Sequence, residues 1–502
     1  MKKIIVIAIA GLSLMSCKKF LEERSQSDVI PKTTKDFGEI LYTNGYPDNY
    51  TLMQPYLVMM DDDIQCYNGQ PLADQQAVIT ANAGAFQWQP NFIDVCNRTG
   101  SSDAKNFNSW GTYYRLILGV NVALQYLDKS VGSDAEKAQY KGEAYALRAF
   151  YNFMLVNLYA KPYNDSTTTP DKSVGIPLKL DPNLSEVLPK QNTVKEVYTQ
   201  ITTDLDSAIY LLGLNKSDQK LFRISHVAAH LLASRVYLYM EQWDKAIAHA
   251  DYVISYHPQL MELNGWGDPN ADEKPIVGIG NVETIWYYGS VLEHTITGVP
   301  GAYDVSNDLV SKFEPNDLRN GIYFYVTPDW LKQYVTADFS QMKNTASGVP
   351  NSQGQMNMGS SWRSSEAYLN RAEAYVQLYK TKGDANGAQE ALKSLNTLRA
   401  KRFSAGNFTP WTTHPADQLL QMCRDERRRE FFAEGTHRWM DLRRYGMPAI
   451  THYYSPIIGG GNQVFTLARR DPQYVLPIPN EVLLRNLSLI QNPQLVNLRQ
   501  PQ

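Results

Sequence analysis

Along most of the chain the apolar residues recur at helical spacing. From Ala229, the positions Leu232, Ala233, Val236, Tyr237 and Met240 share one face of a helix. After a break at Glu241-Gln242, Trp243 opens a second stretch whose stripe is Ala246, Ala250, Val253 and Ile254. The same plan returns later: Tyr368, Ala372, Tyr375, Val376 and Tyr379 form a stripe, Lys382-Gly383-Asp384 makes a turn, and Ala388, Ala391, Leu392, Leu395 and Leu398 answer it. Comparable stripes predict helices over Trp110 to Leu127, Gly142 to Ala160 and Val194 to Leu212. Residues 161–192, 256–364 and 402–415 carry no such period and are rich in Pro, Gly, Asn and Asp. Inside the longest of these, Glu283 to Tyr288 predicts a short strand and Pro328 to Tyr334 a short helix.

An aromatic residue three positions before alanine, as in Trp243 and Ala246, resembles the opening of a second helix in tetratricopeptide repeats, where alanine lets two helices approach closely. Three or four such pairs predict a mainly α fold, a tetratricopeptide-repeat-like scaffold with long loop-rich insertions and a few short strands. The pairs fall within about 110–255 and 365–401, and the chief insertion spans 256–364. Loops of that length inside a compact domain are functional or build a subdomain of their own.

The chain opens differently. Lys2 and Lys3 precede an apolar run from Ile4 to Met15, too short for the roughly 20 residues of a spanning helix, and the pattern predicts a secretory signal peptide over residues 1–16. Leu14-Met15-Ser16-Cys17 resembles a bacterial lipobox, which makes Cys17 the expected lipidation site and membrane anchor. With 43% hydrophobic and 20% charged residues the remainder is globular in composition. Loss of residues 1–16 removes two of 48 basic residues, leaving 46 against 51 acidic ones, a net charge of −5 that gives no footprint for nucleic acid. Of the remaining cysteines, Cys66 and Cys96 are the pairing an oxidising compartment would permit, while Cys423 lies in a helical stretch and fits a small buried hydrophobe.

Signals for catalysis or metal binding are weak. His226 and His230 stand four apart, but Val227 occupies the place of the glutamate base of a metalloprotease, and the flanking alanines point to packing. Asp61-Asp62-Asp63 lacks the alternation and turn glycine of a calcium loop. Gly459-Gly460-Gly461 follows no clear strand and fits a flexible loop rather than a nucleotide fingerprint. The run Arg424 to Gly446, RDERRREFFAEGTHRWMDLRRYG, is dense in charge. Asp425 with Arg429, Glu426 with Arg429, and Glu430 with Glu434 fall three or four apart on a predicted helix, which favours ion-paired architecture, with a glycosidase carboxylate pair as the rival use. No catalytic residue, metal or cofactor is assigned. Aromatic supply is generous at 32 Tyr and 9 Trp, a currency suited to sugar faces, although Trp88, Trp110 and Trp286 fit the core.

The charged run Arg424 to Gly446 is similar to the C-terminal signature of SusD/RagB-like proteins, and Tyr474 to Asn492, ending in LIQNP, to their closing segment. Asp61-Asp62, Trp110 to Leu127, Asp317-Leu318-Arg319 and SEAYLNRAE from Ser365 to Glu373 follow in the family's order. The resemblance implies one SusD-like domain over 17–502, with 424–502 as its C-terminal segment. It implies a lipoprotein of the outer membrane, facing the cell exterior, that captures oligosaccharide, or peptide in some relatives, and serves as the lid of a SusC-like TonB-dependent transporter. Repeat helices would face the barrel and the loop-rich side the ligand. Ligand residues in this family come from the early loop and from the insertion, which by position suggests Tyr67 and Asn68 in the first and Tyr288, Tyr303 and Trp330 in the second. A surface glycoside hydrolase and a plain protein-interaction scaffold are the alternatives.

Overall fold

Helices account for about half of the described residues, and their ends lie where local chemistry places them. The computed structural model describes residues 31–98, 108–184, 187–216, 221–266, 276–278, 280–290, 302–327, 329, 339–341, 359–434 and 436–502. Cys17, Trp330 and the expected helix at Pro328 to Tyr334, apart from Asp329, lie outside these residues. The main helices are α1 (Phe92–Arg98), α2 (Ser109–Leu127), α3 (Asp134–Tyr159), α4 (Val194–Leu214), α5 (His226–Tyr239), α6 (Trp243–Tyr256), α7 (Ser364–Lys382), α8 (Ala385–Arg399), α9 (Ala416–Glu430), α10 (His437–Arg444) and α11 (Asn480–Arg485). The strands are short: β1 (Ile64–Gln65), β2 (Thr284–Tyr288), β3 (Asp304–Val305), β4 (Phe324–Val326), β5 (Phe339–Gln341), β6 (Ser360–Arg363), β7 (Ile450–Tyr454) and β8 (Gln463–Leu467).

Ser133 and Thr193 each begin a helix with a capping box. Their hydroxyls accept from the amides of Glu136 and Glu196, whose carboxylates accept in return from the cap amides. Each such cap contributes about 1 kcal/mol. Gly383, at φ +67°, closes α7, and the Asp384 side chain starts α8. Consecutive helices then pack as the repeat pattern requires: α3 on α2 and α4, α5 on α6, α6 on α7, and α7 on α8 and α9. A methyl group at Gly142 would stand 2.7 Å from Leu212, so glycine sets the close approach of α3 and α4. The largest apolar cluster runs through α2 to α6 and takes in Trp88, Trp110 and Trp286, a second lies under α7 to α9, and a third, with Met261, Val305, Tyr323 and Phe432, underlies the insertion. Among the described residues no helix is long and apolar enough to cross a membrane.

Several sequence expectations change in the folded chain. The predicted strand at Glu283 to Tyr288 forms as β2, paired antiparallel with β6. The glycine run at 459–461 does follow a strand, for it lies in the connection of the β7–β8 hairpin, with Gly459 and Gly461 at φ +75° and +78°. The charged run is two helices, not one. α9 ends at Glu430, Ala433 takes φ +57°, and α10 starts at His437, so Glu434 sits in the turn between them. Cys66 and Cys96 are thiols and do not pair. Cys66 donates to the Ser455 carbonyl at 3.1 Å, while Cys96, on α1, packs 3.2 Å from where a methyl on Gly84 would stand; burial pushes the two thiols up to about 12 and about 11. The histidines of α5 pack against α6: His226 Nδ1 lies 3.1 Å from the Tyr252 hydroxyl, His230 Nδ1 lies 2.9 Å from His249 Nδ1, and the His230 ring stacks on Tyr252.

Candidate ligand-binding face

The early loop reaches the surface because two distant strands hold it. β1 pairs with β3, placing Ile64 opposite Val305, and a bridge from Cys66 to Tyr454 joins the other edge to β7. Successive side chains of a strand point to opposite faces. Cys66, Tyr454 and His452 are buried, whereas Tyr67 is half-buried and Tyr453 is 40% exposed. Their rings meet at 5.5 Å between centroids and are tilted by 43°. The Tyr67 hydroxyl accepts from the Asn307 amide at 3.4 Å, and exposed Asn68 and Asp308 flank the pair. Gly69, at φ +67°, allows the approach behind them: a methyl there would stand 2.3 Å from the Ile457 carbonyl carbon, and Gln70 N donates to Pro456 O at 3.1 Å.

Of the other candidates, Tyr303 lies beneath this surface, 6% exposed and 5.3 Å from the Phe86 ring. Tyr288 stacks on Trp286 at 4.0 Å and lines, with Trp362, Arg235 and Gln54, a cavity of about 20 Å³, enough for a water molecule. The structure therefore brings Tyr67 and Asn68 together at the surface and turns Tyr288 and Tyr303 inward. Tyr453 and Asp308 were not singled out in the sequence. The signal for Tyr453 was the alternation of Ile450 to Tyr454, and nothing local marked Asp308.

Behind the face stands α9, whose consecutive charges diverge because each residue turns 100° around the helix. Arg428 reaches toward the face: Nε donates to Asp63 at 2.7 Å and Nη1 to Asp308 at 2.5 Å. Arg438 grips Asp62 with two bonds of 2.6 and 2.8 Å. Burial alone would raise Asp62, but Arg428 and Arg438 outweigh it and hold its carboxyl well below the usual range. Asp61 moves the other way, raised by burial and by the charge of Asp63. The Asp61 to Asp63 run, read in sequence as a poor calcium loop, thus has two of its carboxylates engaged by arginine.

Arg427 turns to a different set. Its Nε donates to Asp441 at 2.8 Å, Arg444 joins Asp441 to Glu373, and Arg235 makes a two-bond pair with Glu366. Glu426, Arg429 and Glu430 face a third. Glu426 and Arg429 pair within the helix at 2.6 Å, as the spacing predicts, and Asp425 accepts from Gln421. Most partners lie far away: Arg319 binds Asp317, Glu426 and Glu430; Arg363 binds Glu283, Glu430 and Glu434; Arg402 binds Glu283 and Glu430 at 2.6 and 2.8 Å. The side chains of Glu283, Glu426 and Glu430 have 0% exposure, so these carboxylates cannot reach a glycosidic bond.

This arrangement fixes a pH response. Despite burial, which works against it, Arg319 and Arg429 hold Glu426 down to about 2, and Arg402 and Arg363 hold Glu430 well below 4.5. The unfolded chain therefore takes up these protons first, and their stabilisation is complete above pH 4.5 and is lost as pH falls toward 2. Burial also lowers His230 to about 3 and His249 to about 4 from 6.5, so unfolded histidine binds protons that the fold refuses. The expected result is a urea midpoint that declines below pH 6.5 and steepens below pH 4.5. A midpoint flat across that range would contradict these assignments.

The family described as "Starch-binding associating with outer membrane" matches residues 19–238, and the SusD family matches residues 282–494. SusD-like protein P38 of Formosa agariphila is 24% identical over 409 residues, covering 71% of this chain and 76% of that protein. A SusD superfamily protein from Bacteroides thetaiotaomicron shares the fold with a TM-score of 0.66 at 21% identity, covering 92% of this chain and 100% of that one. A laminarin-binding SusD-like protein does so with a TM-score of 0.60 at 20% identity, over 92% of this chain and 98% of its own. Matched along both halves, and laid out as a helical repeat scaffold with its charged C-terminal signature at the centre, the chain belongs to the SusD/RagB-like family.

Proposed function

We propose that this protein is a glycan-capturing lipoprotein of the outer membrane, anchored through Cys17 and facing the cell exterior, that delivers oligosaccharide to a SusC-like TonB-dependent transporter and acts as its lid without cleaving bonds. The observation that carries the reading is the tilted Tyr67–Tyr453 pair, open to solvent beside Asn68 and Asp308. Pyranose rings offer apolar C–H faces between hydroxyls, which match an aromatic platform flanked by an amide and a carboxylate. The description of the matching family as starch-binding and the laminarin-binding neighbour support the ligand class. Lid action requires that ligand favour the closed pair over the open one, since a ligand with equal affinity for both shifts nothing.

Calorimetry of the purified mature protein against soluble polysaccharides, laminarin and starch among them, tests the proposal. Saturable binding to at least one, with no new reducing ends after prolonged incubation, is expected. Hydrolysis by a contaminant-free preparation would make it an enzyme, and absence of binding across neutral and charged glycans would remove the capture role.

A further inference from the structure

Asp308 is held at the edge of the Tyr67–Tyr453 pair from two directions. The Asn307 amide bonds the Tyr67 hydroxyl, which brings the next residue beside the rings, and Arg428 fixes the carboxylate from behind by donating to Oδ2 at 2.5 Å. The Asp308 side chain is 63% exposed and that of Arg428 3%. Arg428 cannot swing outward, because Nε is bonded to Asp63 at 2.7 Å and Nη2 donates to the Asp62 carbonyl at 3.0 Å. Oδ2 is thus committed, whereas Oδ1 lies 4.0 Å from the Lys312 ammonium, beyond hydrogen-bond reach. The hairpin side of the face is uncharged: Thr451 and Tyr453 share one side of β7, opposite Thr466 and Val464 of β8. Residues 64–76, 302–312 and 450–467 build the face and contain three carboxylates, Asp74, Asp304 and Asp308, against one Lys or Arg, Lys312.

The layer beneath keeps the same sign. Asp62, Asp63, Asp304 and Asp308 outnumber Arg428, Arg438 and Lys312, and both arginines are engaged by Asp62 and Asp63. Burial raises the Tyr67 hydroxyl, and the charges of Asp304 and Asp308 push it the same way. A ligand carboxylate or sulfate is ordinarily gripped by the planar fork of an arginine. On this face it would meet Asp308 first, with the arginines behind, and like charges brought together weaken association. A neutral sugar hydroxyl can instead donate to Oδ1, a charged acceptor already oriented before the ligand arrives. We propose, resting on the capture reading above, that Asp308 makes this face selective for uncharged glycans, accepting a hydroxyl from a neutral sugar and repelling uronic-acid and sulfated ones.

The test is calorimetry of the mature chain against matched polymers: laminarin and sulfated laminarin, soluble starch and carboxymethyl starch, and the naturally anionic polygalacturonate and alginate. Wild type is compared with Asp308→Asn and with Lys312→Gln, whose thermal midpoints are measured alongside. In about 0.1 M salt a neutral polymer that binds should be held at least about tenfold more tightly than its anionic derivative, as a like charge a few ångströms away requires. Raising salt to about 1 M, where the screening length falls to ~3 Å, should close most of that gap. Asp308→Asn should narrow the ratio by about threefold or more, and Lys312→Gln, which removes the one ammonium of these segments, should widen it. A bulky substituent that merely fails to fit would give a ratio indifferent to salt and to both variants, and that result overturns the proposal. Binding of an anionic polymer as tightly as a neutral one also overturns it while leaving capture intact. Failure of every polymer, neutral and anionic alike, refutes capture itself.

Discussion

Arg402→Ala is expected to cost about 3–5 kcal/mol of stability, seen as a lower urea midpoint with little change in slope. The Arg402 side chain has 0% exposure and bonds two carboxylates, Glu283 and Glu430, while Nη1 donates to the Met261 carbonyl. Removing it leaves Glu283 to Arg363 and Glu430 to Arg363 and Arg319, although Arg363 already serves Glu434 and Arg319 already serves Asp317 and Glu426. The cost comes from stranded charge rather than from loss of an attraction, and this separates it from a simple cavity. Arg402→Lys keeps the charge but lacks the planar fork that spans both carboxylates, so it should fall between alanine and wild type. A loss below 1 kcal/mol for alanine would mean that water enters and solvates the glutamates.

The second large effect concerns binding. Tyr67→Ala and Tyr453→Ala should each weaken the best glycan found in the calorimetric screen by about tenfold or more, equivalent to about 1.4 kcal/mol. Each substitution removes one ring of a tilted pair, and the remaining ring loses the neighbour that orients it. Tyr210→Ala serves as the reference, because Tyr210 is a 67% exposed tyrosine on α4, away from this face. Equal affinities for all three variants and wild type would place the sugar elsewhere. Because the two tyrosines touch, the double variant should lose less than the sum of the single losses.

Periodicity made the scaffold legible. The stripes over Trp110 to Leu127, Val194 to Leu212 and Trp243 to Ile254 became α2, α4 and α6 within a few residues, because amphipathic helices announce their buried side every three or four positions. The charged run was harder. Spacing shows which charges can meet along one helix, and it found Glu426 with Arg429, but it carries no information about Arg319, Arg363 or Arg402, which come from other parts of the chain. Nor does it show the left-handed Ala433 that ends α9 and sends Glu434 back toward Arg363. At the candidate face, Tyr67 and Asn68 were marked by their place in the early loop, whereas Tyr453 became visible once β7 had been paired beside β1. Burial decides between outward and inward aromatics, and Tyr288 and Tyr303 show that composition alone cannot.

The distribution of charges from α9 into three separate sets also constrains the order in which the molecule can be assembled. Arg319 and Arg363 are made long before Glu430, yet each depends on it and on a neighbouring carboxylate, Glu426 for Arg319 and Glu434 for Arg363. Until the last fifth of the polypeptide arrives, those groups must stay hydrated, and the middle of the molecule cannot close around them. Synthesis from the N-terminus therefore completes the helical repeats first and locks the centre last, so a chain cut short before Ala416 should persist as an open, protease-sensitive species rather than a smaller version of the native one.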